Sequence, residues 1–159
     1  MHPIRAYVDT SVFGGAFDEE FGEASVAFFD RVRRREFVVL VSSVSLDEMA
    51  AAPRKVREMF AELSAGHIME VTVDDDIREL AQAYIEAGVL SERWRDDATH
   101  VAAATVARAD LIVSWNFRHI VNFDRIRKFN GVNALHGFPA LDIRSPLEMG
   151  SENEIEQDL

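Results

Sequence analysis

Phe37-Val38-Val39-Leu40-Val41 is the stretch on which the fold turns. Its apolar residues run on without alternation and are rich in β-branched valine, the pattern of a strand covered on both faces. Working outward, Ile4 to Val8, interrupted by Arg5, and Leu111-Ile112-Val113 have the same character. Ile68 to Val73 predicts a further strand, and a short fifth is expected near Ala140 to Ile143. Between the strands lie segments of helical period. Ala24, Phe28 and Val32 share one face, and Val56, Met59, Phe60 and Leu63 follow i, i+3, i+4, i+7 spacing. Ile77, Leu80, Ala81, Tyr84 and Ile85 form a third stripe, preceded by Asp74-Asp75-Asp76, which reads as a cap plus acids matched to the helix dipole. Asp96-Asp97 open an alanine-rich helix running to about Arg108. Strands alternating with helices make an α/β protein, a parallel sheet flanked by helices and joined by right-handed crossovers.

The chain has 159 residues, enough for one domain with a single core. No apolar run approaches the roughly 18 residues that span a bilayer. Met1-His2-Pro3-Ile4-Arg5 leads straight into a strand, so no signal peptide is expected. The absence of cysteine excludes disulfides, thiolate nucleophiles and sulfur-built zinc sites, and suits a reducing cytoplasm. Twenty-eight acidic against 17 basic residues give a net charge of -11, which by itself opposes nucleic-acid binding. Two features soften that. Basic residues cluster at Arg31, Arg33, Arg34, Arg35, at Arg54, Lys55, Arg57 and at Arg125, Arg127, Lys128. These clusters are either contacts for phosphate or solvated helix faces. Carboxylates that bind a divalent ion also reverse their local sign.

In open α/β sheets ligands bind beyond the carboxyl ends of the strands. The polar groups placed there are Asp9-Thr10-Ser11 after the first strand, Ser42, Ser43 and the Asp47-Glu48 pair after the second, and Ser114 and Asn116 after the fourth. Asp96-Asp97, at a helix start just before that last strand, join the same rim. Three acids and an amide suit a hard divalent cation, which takes oxygen ligands. The sequence offers no G-x-S-x-G elbow, Walker loop or H-E-x-x-H motif, and cation-assisted hydrolysis needs no covalent protein nucleophile.

Taken in order, Tyr7-Val8-Asp9-Thr10-Ser11-Val12-Phe13, Ser45-Leu46-Asp47-Glu48-Met49, Asp97-Ala98-Thr99-His100-Val101-Ala102-Ala103-Ala104 and Leu111-Ile112-Val113-Ser114-Trp115-Asn116 resemble the motifs of a PIN domain, in the style of VapC-type toxins. The resemblance implies a three-layer α/β/α sandwich with a mainly parallel sheet of four to five strands over residues 1–149, followed by an acidic, mobile tail at 150–159. It also implies a Mg2+- or Mn2+-dependent endoribonuclease, the toxin of a type II toxin–antitoxin pair. RNA would be its substrate and a small antitoxin its partner, and it would admit a homodimer.

Residue by residue, the resemblance makes Asp9, Glu48 and Asp97 metal ligands. It places Asn116, where many relatives carry Asp, as the fourth catalytic position. Thr10, Ser11 and Ser114 would support the ligands or touch phosphate. Only the family pattern selects Glu48 over Asp47 and Asp97 over Asp96, since either acid of the latter pair also suits a helix cap. Asp9 reads otherwise as a turn or cap acid, and Asn116 as the cap of the next turn. His100, one turn beyond Asp97, either orients a ligand or contacts RNA, or packs as a structural histidine. His119 is read as structural and Trp115 as core. Two rival functions bear on the same residues. A non-catalytic PIN module would bind RNA or a protein without cutting. A phosphatase of the haloacid dehalogenase type also uses an acid after strand one, but wants a second Asp where this chain has Ser11.

Overall fold

The computed structural model describes residues 2–150; the acidic segment 151–159 lies outside them. Five strands, β1 (Ile4–Val8), β2 (Phe37–Ser42), β3 (Ile68–Val71), β4 (Leu111–Val113) and β5 (Asp142–Arg144), form one sheet in the order β3-β2-β1-β4-β5. Every pairing is parallel. β1 and β2 lie side by side near the centre, with Ala6 to Val8 of β1 and nearly all of β2 buried towards both faces.

Strand alternation sorts those side chains into two cores. Tyr7, Leu40, Ile112 and Ile143 pack under α5 (Asp75–Glu86), α6 (Arg95–Val106) and α7 (Phe123–Leu135). Ala6, Val8, Val39, Val41, Leu111 and Val113 pack under α1 (Thr10–Gly15), α2 (Gly22–Arg33), α3 (Ser43–Ala50) and α4 (Arg54–Ser64). The result is the expected three-layer α/β/α sandwich, with five strands. Among the described residues no helix is long and apolar enough to cross a membrane.

Some boundaries differ from the sequence reading. After Asp9, Thr10–Gly15 forms a short helix that the sequence reading had not marked. α6 begins at Arg95, with Trp94 in the capping position, so neither Asp96 nor Asp97 is the cap. α7 was not foreseen; it buries only Phe129, Val132 and Asn133 and carries Gly131 mid-helix, too sparse a stripe to show as a period. The Asp triplet behaves as read, with Asp74 accepting a hydrogen bond from the Ile77 N–H at 3.0 Å.

The order of the strands fixes where a site can form. From β1 the chain turns to β2 and β3 on one side, then crosses to β4 and β5 on the other. The connections leaving β1 and β4 therefore run to opposite sides of the sheet, which makes the paired carboxyl ends of these strands the topological switch point, where a crevice opens in such sheets.

Candidate functional site

Asp9 follows the last residue of β1 and sits at that crevice, 5% exposed. It holds the N-cap position of α1, yet its side chain makes no cap hydrogen bond. Instead Oδ2 accepts from the Ser11 hydroxyl at 2.8 Å and the Ser114 hydroxyl at 2.7 Å. Ser114 directly follows β4, so the two strand ends are stitched together through this carboxylate. Ser11 Oγ also accepts from the Trp115 N–H at 3.0 Å, and Ser114 Oγ from the Asn116 N–H at 2.9 Å. With both hydroxyls on Oδ2, the other oxygen is left towards the cleft. Oδ1 lies 3.7 Å from His100 Nε2.

Glu48 comes from α3, whose start is fixed by a reciprocal capping box between Ser42 and Ser45. Its Oε1 is hydrogen-bonded to His100 Nε2 and accepts from the Thr10 hydroxyl at 3.3 Å. Asp47, the neighbour that a helical wheel could not separate from it, is exposed and lines no part of the cleft. His100 is fully buried, and its Nδ1 lies 2.7 Å from the Tyr7 hydroxyl, which is itself 2.8 Å from Ser42 Oγ. Burial disfavours a charge on His100, but the Tyr7 oxygen, Glu48 and Asp9 outweigh it and hold its pKa well above the ordinary 6.5. His100 thus combines both sequence readings: it is a buried histidine, and it orients Glu48.

Asp97 lies in the first turn of α6 with an 18% exposed side chain; Asp96, beside it, is exposed. Burial raises the Asp97 pKa above 3.8, and the charge of Asp9 adds to the rise, while a hydrogen bond from His119 works against it. That bond, His119 Nδ1 to Asp97 Oδ2 at 3.0 Å, corrects the reading of His119 as merely structural. Asn116 Oδ1 accepts from the His119 N–H at 2.9 Å, so it caps the turn after β4 while also facing the cleft. The only sequence signal for His119 was its place three residues beyond Asn116. Trp115 packs as core, stacked on Phe21 at 4.2 Å between ring centroids, with its indole N–H donated to Ser25 Oγ.

Asp9, Glu48, Asp97 and Asn116 all line one open cleft of about 480 Å³, together with Ser11. Asp9, Glu48 and His100 each bring a ligand atom to within 4.8 Å of the others. Asp97 is outside that tight group but lines the same cleft. The Asp9 and Glu48 carboxylates, with Asp97 on the same cleft, are an oxygen donor set that fits a divalent cation, while both nitrogens of His100 are engaged by Glu48 and Tyr7.

No protein-family model matches the sequence, and no curated protein does. Among solved structures, the chain is similar to a chain of VapBC2 from Rickettsia felis, in a crystal structure of VapBC2 bound to a DNA fragment from their promoter. The TM-score is 0.56 at 13% identity, over 89% of this chain and 98% of that one. At that identity the likeness is one of fold: the chain is built as a PIN-like α/β/α sandwich, as its motifs implied.

Proposed function

We propose that this protein is a divalent-cation-dependent endoribonuclease, using Mg2+ or Mn2+, and the toxin of a type II toxin–antitoxin pair acting in the cytoplasm. The observation that carries the reading is the convergence of Asp9, Glu48 and Asp97 on one cleft at the β1/β4 switch point. Like charges so placed repel, the charge of Asp9 adding to the rise that burial causes in the Asp97 pKa, and a cation between them would relieve that repulsion. When bound, the cation polarises the phosphoryl oxygen and acidifies water for in-line attack. The chain's own groups prepare the place. Asp9, Glu48 and Asp97 would supply the cation's oxygen ligands. Ser11 and Ser114 fix the Asp9 rotamer, Thr10 and His100 hold Glu48, and His119 fixes Asp97. Support for an antitoxin partner comes from the similarity to a VapBC2 chain.

The test is cleavage of structured RNA by purified protein in Mg2+ and in Mn2+. Asp9→Asn and Asp97→Asn should each lower the rate roughly a hundredfold or more, since even groups that merely orient metal ligands cost 10–100-fold. Circular dichroism should stay native. A variant cutting at the wild-type rate overturns the site. Cation binding with no cleavage by the wild type would instead favour the module that binds RNA or a partner without cutting.

A further inference from the structure

A second cleft, about 490 Å³, shares Glu48, Asp97 and Asn116 with the first and extends it past His119 towards Arg93, Trp94 and Arg118. These three residues belong to none of the basic clusters that stand out in the sequence. Those clusters turn away from the site. Arg31 and Arg34 pair with Glu36, Arg33 with Asp30 and Glu62, and Arg54 with Glu58. Arg125 donates to the Val89 carbonyl, and Arg127 lies over the Phe123 ring. None of them lines either cleft.

Arg93 and Arg118 differ from those clusters in that they border the cleft. Both are exposed, and among the described residues neither forms an ion pair. Asp96 borders the same cleft and pairs with neither. What positions them is Trp94: the Arg93 guanidinium lies 4.9 Å and that of Arg118 5.8 Å from its ring centroid. The half-buried indole is itself packed on His119, with centroids 4.2 Å apart, and His119 is bonded to Asp97. A cation–π contact engages the face of a guanidinium and leaves its in-plane N–H donors available, in the fork that matches phosphate oxygens. The neighbouring Arg95 shows the contrast, being tied to Glu92 at 2.6 Å and to Gln82.

We propose that Arg93 and Arg118, held by Trp94, form a subsite for the phosphodiester backbone of an RNA strand adjacent to the bond that is cut. This rests on the nuclease reading and adds to it where the strand leaves the carboxylates. It also bears on the charge problem of an acidic protein that must hold a polyanion: two positive groups border the cleft beside Glu48, Asp96 and Asp97.

The test is binding of a short fluorescein-labelled single-stranded RNA by fluorescence anisotropy, with Ca2+ in place of the catalytic cation, across a salt series. Arg93→Gln/Arg118→Gln should bind roughly tenfold more weakly, and its log–log salt slope should fall by about 1.4, at about 0.7 per phosphate contact on a single strand. Both side chains are exposed, so the melting temperature should not move. The matched control Arg34→Gln/Arg54→Gln removes the same charge far from the cleft and should bind like the wild type. In Mg2+, the cleft pair should raise KM far more than it lowers kcat. Wild-type affinity and slope in the cleft pair, or an equal loss in the control, would overturn the subsite. Tight, Arg93- and Arg118-dependent binding by a wild type that never cuts would keep the subsite and sink the nuclease reading.

Discussion

At the scale of single residues, His100 shows what the sequence withheld. Asp9, Glu48, Asp97 and Asn116 could be singled out as candidates because each lies in one of the ordered motifs near a strand end or a helix start, although only the family pattern separated Glu48 from Asp47 and Asp97 from Asp96. The links between them could not. Tyr7 to His100, His100 to Glu48 and His119 to Asp97 are contacts between elements far apart in the chain, and no periodicity encodes them. The same links make a pH signature. His100 has a folded pKa raised above 6.5, so its stabilising contribution is full below about 6.5 and is lost as pH climbs through the folded value. Asp97 has the same sign, because a raised carboxyl pKa means that the fold favours the protonated form. Cation-free protein in EDTA should therefore melt at progressively lower temperature from about pH 6.5 upward. His100→Gln should flatten that decline, whatever its effect on the absolute melting point. An unchanged slope in the variant would mean that the imidazole is not charged within the fold.

At the scale of elements, legibility followed the strength of the apolar pattern. β2 and β4 were readable because burial on both faces leaves an uninterrupted apolar run, β1 because its run is broken only by Arg5, and α4 and α5 because each presents one buried stripe to the sheet. α7 was not, since it leaves Phe123 and Leu135 exposed and covers the sheet with three residues. Its one local signal was Asn122, whose side chain caps it by accepting from the Arg125 N–H at 3.2 Å. α1 escaped because its glycines read as breaks. One of them is there for space. A Cβ on Gly15 would lie 2.6 Å from Trp115 Nε1 and 2.8 Å from Ser25 Oγ. Neither can yield cheaply, because the indole is stacked on Phe21 and bonded to that same serine. Gly15→Ala should cost about 1–3 kcal/mol by overpacking, seen as a melting point lower by roughly 2–12 °C. Gly14→Ala, one position earlier with nothing within 4 Å, should be neutral or slightly stabilising. Equal effects at the two positions would show that α1 does not press on the β4 end of the cleft.

For the whole molecule the decisive quantity is the coupling between cation binding and folding. The crossover that separates β1 from β4 assembles Asp9, Glu48 and Asp97 only in the folded chain, so a cation held there binds the native state and barely binds the unfolded one. At a free concentration a hundred times its Kd such a cation stabilises by about 2.7 kcal/mol. For a chain of this size that raises the melting point by roughly 5–11 °C. The net charge of -11 supplies a competing explanation, since any acidic protein gains from diffuse counter-ions. The two differ in how they respond to salt and to mutation. Diffuse stabilisation is screened, with a Debye length of about 8 Å at 0.15 M ionic strength, and it depends on total charge, so removing one carboxylate from 28 acidic residues barely alters it. Site binding depends on particular oxygens. Melting curves at fixed 0.15 M ionic strength should therefore show the full rise with Mn2+ for the wild type. Asp9→Asn should show almost none, and Asp47→Asn, which removes the same charge from the exposed neighbour of Glu48, should behave like the wild type. A shift in Asp9→Asn as large as in the wild type would assign the stabilisation to the surface and leave the cleft without its ion.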